Sequence, residues 1–218
     1  ENDSRENILD KFYNLRQQVN RKNSERANFC LSDFVAPKTS KINDYIGGFL
    51  VTAGSEIEKL SSEFESKKDD YNSILVKSLG DRIAEALAEM MHHKVRTDLW
   101  GYSKKEKLTN KQLIKEEYIG IRPAPGYPAC PDHSQKETLF KLLDIPNNLK
   151  VKLTESFAMS PSSSVSGLYF SNPKASYFGI GKINKDQVTD YAKRRGISVE
   201  EAEKWLGPNL SYSPKKAA

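Results

Sequence analysis

Residues 122–133 read Arg122-Pro123-Ala124-Pro125-Gly126-Tyr127-Pro128-Ala129-Cys130-Pro131-Asp132-His133 and hold four of the chain's 10 prolines within nine positions. Proline fixes its own φ, lacks an N–H and pushes the preceding residue toward extended geometry. No helix is expected through this stretch. It predicts a stiff ribbon headed by Arg122, separating a helical first half from a strand-rich second half. The donors that survive at Ala124 and Gly126 are two residues apart, a spacing that puts both on one side of an extended chain. Spaced amides with a guanidinium at their head suit a small ligand carrying a carboxylate and a flat ring. The plain alternative is a Pro-rich surface connection.

Upstream of the ribbon, Ile8, Leu9, Phe12, Leu15 and Val19 recur at helical spacing and predict a helix over 3–22. Residues 47–52 form a short β-like run, and Ser55 with Glu58 offers a capping box for a following helix. The strongest helical signal covers about 69–98. There Tyr71, Ile74, Leu75, Leu79, Ile83, Leu87, Met90 and Val95 make one apolar stripe, expected to back the core. A short helix is expected within 103–117. Another, capped by Ser134 and Glu137, should run through Leu143 until Pro146 stops it.

Downstream the period changes. Residues 151–154, 165–171 and 177–182 alternate apolar and polar and predict antiparallel strands. Two helices close the chain, one from Asn184 with Gln187 as capping partner, one from Ser198 with Glu201, ending at Gly207-Pro208. The expected fold class is therefore α+β: a small antiparallel sheet with surrounding helices, in a single domain over 1–218.

Composition removes several functions. The 218 residues are 37% hydrophobic and 29% charged, which suits a globular core rather than disorder. Lys+Arg 34 against Asp+Glu 29 gives a net +5, but basic residues alternate with acids, as in Glu56-Ile57-Glu58-Lys59. A nucleic-acid binder concentrates them on one face, so no nucleic-acid partner is expected. No apolar run reaches membrane-spanning length, and no membrane partner is expected either. Cys30 and Cys130 lie far apart without Cys-x-x-Cys spacing, which fits a reducing compartment and a cytoplasmic location. His92, His93 and His133 lack metal-ligand spacing, and Cys130 has no nameable base. No residue is assigned as catalytic and none as a metal ligand.

Arg122, Gly126, Tyr127 and Pro131 fill the fixed positions of R-x-x-x-G-Y-x-x-x-P. This resembles the S-adenosylmethionine-binding signature of the activation domain of cobalamin-dependent methionine synthase. The likeness extends through Asp33-Phe34-Val35-Ala36-Pro37-Lys38, Asp81-Arg82-Ile83-Ala84-Glu85-Ala86, Leu153-Thr154-Glu155-Ser156 and Trp205-Leu206-Gly207-Pro208-Asn209-Leu210, covering roughly 14–212. The resemblance implies ligand contacts from Arg122 (to the carboxylate), Ala124, Tyr127, Glu85 and the aromatic pair Tyr177 and Phe178. The family usually has two tyrosines at that pair. On a strand only one of two neighbouring rings is expected to meet the ligand. Read from spacing alone, Arg122 has a rival role in an ion pair with Glu116 or Glu117.

The resemblance also implies a reaction in methionine biosynthesis. Inactive cob(II)alamin returns to methylcobalamin with an electron from flavodoxin or an equivalent reductase and the methyl group of S-adenosylmethionine. The chain would be part of a methyltransferase and would not turn over alone. Cobalamin is expected only through a separate module, because no Asp-x-His-x-x-Gly motif occurs here. The family's domain is longer on its N-terminal side and carries a further acidic ligand residue there, so this chain, which begins with Glu, is expected to lack that part, either as an excised fragment or as a naturally short protein. The rival is a stand-alone S-adenosylmethionine-binding sensor or docking module without catalysis.

Overall fold

The computed structural model describes residues 6–19 and 27–214. Its centre is a two-stranded antiparallel sheet of β1 (Gly47–Thr52) and β4 (Ser164–Tyr169), in register from Gly47 opposite Tyr169 to Thr52 opposite Ser164. Between them in the chain come α1 (Glu56–Ser66), α2 (Asp70–Lys94), α3 (Asn110–Ile114), α4 (Lys136–Leu142) and α5 (Ile145–Asn148). The short strands β2 (Lys152–Leu153) and β3 (Met159–Ser160) then pair with each other, and α6 (Lys185–Arg195) and α7 (Val199–Trp205) close the fold. Helices around small antiparallel sheets make the α+β class.

The long helix turns the opposite way from the apolar stripe. Its buried face is Ser73, Gly80, Ala84, Ala88 and His92, while Ile74, Leu79 and Met90 are 64%, 53% and 54% exposed. Small residues four apart let α2 approach α1 and the sheet closely. A Cβ on Gly80 would lie 2.6 Å from Ser163 Oγ and 2.7 Å from Ile57 Cγ2. Periodicity identifies a helix and an apolar face, but not which face meets the core when the rest is built from Ala and Gly. Asp69 caps α2 by accepting from the Asn72 N–H, and the helix passes into a π turn over Val95–Leu99.

Residues 6–19 are not helical. Gln17 N–H donates to Phe29 C=O and Gln18 N–H to Ile180 C=O, both at 2.8 Å, and Tyr13 N–H donates to Gln135 Oε1 at 2.6 Å. The segment runs along neighbours that satisfy its backbone, and only Leu15 of its apolar row is buried. The ends of that expected helix, 3–5 and 20–22, lie outside the described residues.

Residues 177–182 are likewise not a strand. Ile180 N–H donates to Pro128 C=O at 3.0 Å, but proline returns no N–H, so a ladder cannot form there. Ser55 makes no side-chain cap, and the helix after the ribbon is announced by Asp132, whose carboxylate accepts from the Ser134 N–H. Pro146 sits in the first turn of α5 rather than ending α4. The Ser198 cap and the stop at 207–208 are as the sequence predicts.

Candidate functional site

The start of the ribbon is fastened to β4 by an isolated antiparallel bridge. Ile121 and Phe170 exchange both backbone hydrogen bonds at 3.0 Å, and Leu168 N–H donates to Pro123 C=O at 2.9 Å. Gly167 permits this, since a Cβ there would lie 2.8 Å from the Pro123 carbonyl oxygen. Beyond Pro123 the chain turns. Tyr127 N–H donates to Ala124 C=O, Gly126 N–H to Cys130 C=O at 2.7 Å, and Cys130 N–H to Tyr127 C=O. The Gly126 amide is thus consumed inside the turn, and only Ala124 of the two expected donors keeps a free N–H. Gly126 has φ +96° and backs onto the His133 ring, so a side chain there is strained and obstructed.

Six chain segments line a cavity of about 470 Å³. Glu85 comes from α2; Arg122, Ala124 and Tyr127 from the ribbon; Phe49, Val165 and Ser166 from β1 and β4; Tyr177, Phe178 and Gly179 from the irregular segment. All six residues singled out by sequence meet at this cavity. Residues 177–179 are not a strand, and Tyr177 and Phe178 both line the cavity. Phe178 also packs against Phe29 and Phe34, tying the wall to the core. Glu116, held at φ +56° after α3, lines the cavity as well. Sequence reading offered Glu116 only as a partner for Arg122, and no local pattern marks it otherwise.

Arg122 pairs instead with Glu89, 33 positions earlier on α2: Nη2 donates to Oε2 at 2.5 Å. Its Nη1 donates to Tyr118 Oη at 3.1 Å and lies 3.3 Å from His92 Nδ1. The Tyr177 hydroxyl accepts from the Arg122 backbone N–H at 3.0 Å. Burial, followed by the charges of Arg96 and Arg122, holds His92 down to about 2, so the ring is neutral. A neutral ring protonated on Nε2 satisfies both neighbours, accepting from Arg122 at Nδ1 and facing Tyr102 Oη at 3.4 Å. Tyr118 is fixed from beneath by Arg96, whose guanidinium lies 4.2 Å from the ring and forks onto Glu106 at 2.7 Å twice. The cavity therefore presents one anchored cation among the carboxylates of Glu85 and Glu116, between aromatic walls. That arrangement accepts a zwitterion with additional positive charge and a planar ring.

The model of the vitamin B12-dependent methionine synthase activation domain matches residues 1–196. The chain belongs to that activation-domain family. It is also similar to a solved structure described as the MetH reactivation domain bound to AdoHcy, at 52% identity and a TM-score of 0.93. The match covers 97% of this chain, and the chain spans 65% of that solved one. In this family member a second lobe of about 580 Å³ shares Glu85, Ala124, Tyr127, Val165 and Ser166 with the cavity. It continues past Lys136, whose Nζ lies 2.8 Å from His133 Nδ1 and donates to Phe157 C=O. Burial lowers the pKa of Lys136. Burial also pushes the Cys130 thiol up to about 12, which leaves it unsuited to nucleophilic attack. Among the described residues no cluster of three His, Cys, Asp or Glu suits a metal, and no helix is long and apolar enough to cross a membrane.

Proposed function

We propose that this cavity binds S-adenosylmethionine and that the chain serves as the methyl-donor-holding unit in reductive methylation of cob(II)alamin. The observation that carries the reading is the convergence of Glu85, Arg122, Ala124, Tyr127, Tyr177 and Phe178 on one cleft of ligand size. Arg122 takes the ligand carboxylate, the Ala124 N–H meets the ring edge, and Tyr127 with the 177–178 pair walls the ring. Glu85 and Glu116 favour the ammonium and sulfonium by charge. The cobalamin, held by another module of the enzyme, supplies the nucleophile. This chain's residues bind and orient the methyl group and need no general base. Flavodoxin or an equivalent reductase is the electron donor in this reading, the location is cytoplasmic, and the two free, buried cysteines are consistent with it.

Calorimetric titration tests the assignment. Arg122→Ala should weaken S-adenosylmethionine binding by roughly 2–4 kcal/mol, as for loss of a charge-assisted carboxylate pair. Equal affinities in both proteins remove Arg122 from the site. Added in trans with a reductant to a methionine synthase lacking its activation domain, the chain should restore part of cob(II)alamin reactivation. Rescue is partial because the tether's effective concentration, on the order of millimolar, is lost. If the longer domain run beside it also fails at millimolar concentration, under conditions where the intact enzyme reactivates, the sensor or docking reading takes its place.

A further inference from the structure

The guanidinium of Arg122 is already held before any ligand arrives. Arginine has five N–H donors in a plane. Three acceptors lie against this one: Glu89 Oε2 on Nη2, and Tyr118 Oη with His92 Nδ1 on Nη1. Nε–H and one Nη2–H carry no hydrogen bond among the described residues, and Arg122 lines the cavity. Bidentate capture of a carboxylate needs two such donors in one plane, and the side chain is only 18% exposed, so solvent screens the arrangement little. Glu89 differs from the other two acceptors. His92 also faces Tyr102 and packs against Tyr169 and Tyr118, and Tyr118 carries the Arg96 guanidinium; both have structural work of their own. Among the described residues Glu89 bonds to Arg122 alone, and its other oxygen, Oε1, is buried without a partner. It lines no part of the cavity itself.

We propose that Glu89 is the positioning residue of the carboxylate subsite, holding Arg122 so that its two remaining donors face the ligand. The inference rests on the reading that Arg122 receives the carboxylate of S-adenosylmethionine. A flexible arginine must be ordered on binding; one clamped from α2 is ordered on folding, and the ligand meets a prepared fork. Glu89 is also negative and opposes the incoming carboxylate. Since two donors stay free, capture proceeds without breaking the Glu89 pair, and preorganisation outweighs repulsion.

The test compares S-adenosylmethionine with 5′-methylthioadenosine, which keeps the adenosine and sulfur but has no amino-acid end. Both are titrated calorimetrically into the full chain and into Glu89→Ala, Glu89→Gln, Arg122→Ala and the Glu89→Ala/Arg122→Ala double variant. Glu89→Ala should weaken S-adenosylmethionine about tenfold and leave methylthioadenosine unchanged. Glu89→Gln, which keeps an acceptor for Nη2, should recover most of that loss. In the Arg122→Ala background the Glu89 substitution should have no further effect. Equal weakening of both ligands, unchanged or tighter S-adenosylmethionine binding, or an additive loss in the double variant overturns the proposal. A wild-type chain that does not prefer S-adenosylmethionine over methylthioadenosine, or that is indifferent to Arg122→Ala, overturns the underlying carboxylate reading instead.

Discussion

Gly80 sets two well-measured effects against each other. In an exposed helix, Gly→Ala gains about 1 kcal/mol from propensity and reduced chain entropy. At this position the new methyl would lie 2.6 Å from Ser163 Oγ and 2.7 Å from Ile57 Cγ2, about an ångström inside ordinary contact. Ile57 is β-branched and stiff at χ1, and Ser163 Oγ is held by the Asp81 carboxylate at 3.0 Å, so neither yields easily. Overpacking of this kind costs about 1–3 kcal/mol. The net expectation for Gly80→Ala is a loss of up to about 2 kcal/mol, or up to roughly 4–8 °C in melting temperature for a chain of this size. Urea unfolding followed by circular dichroism measures it. In an Ile57→Ala background one of the two obstructions is removed, and the same substitution should cost measurably less. If Gly80→Ala stabilises the otherwise unaltered chain, α2 does not pack against α1 and the 162–163 loop as closely as described.

Other positions test the same picture. Leu79→Gln, on the exposed side of α2, should change stability by less than about 0.5 kcal/mol, whereas Ala84→Gln on the buried side should be severely destabilising; comparable effects on denaturation would contradict the orientation of the helix. His92 is protonated in the unfolded chain below about 6.5 but stays neutral in the fold down to about 2, so the unfolded state binds the extra proton and stability falls as pH drops through 6.5. Between pH 7 and pH 5 this removes about 2 kcal/mol, and His92→Gln should flatten most of that slope in denaturant titrations. Asp132 is buried and accepts from Ser134, Tyr191 and Arg195. Asp132→Ala should destabilise by about 3–5 kcal/mol, and combining it with Arg195→Ala should be clearly less than additive; full additivity would mean the pair does not act as a unit.

How much of this was visible in the sequence depends on the range of the interactions involved. The first strand, the Ser198 cap and the terminal stop are local and appear where the residues place them, whereas the Pro-rich stretch avoids helix as expected but folds into turns beyond Pro123 instead of running extended. The six cavity residues were found through the motif resemblance, which carries long-range information that spacing lacks. What escaped was relational. Nothing near Glu89 or Arg122 announces that they pair, and nothing in residues 6–19 reveals that Phe29, Gln135 and Ile180 satisfy their backbone. The stripe on α2 misled because hydrophobicity was weighed by residue size, while a close helix seam rewards Ala and Gly. The 177–182 segment has a strand's alternation but meets Pro128, a partner that cannot complete a ladder.

The cavity takes its walls from segments that begin with Phe49 and end at Gly179. A ribosome releasing this chain delivers α2 long before Tyr177 and Phe178 emerge, and Phe178 then locks against Phe29 and Phe34 near the start. Ligand capture accordingly waits until every segment from Phe49 to Gly179 has emerged. The same geometry means that no excised peptide can carry the site elsewhere. Recombination could move this cleft between proteins only as an entire folded unit.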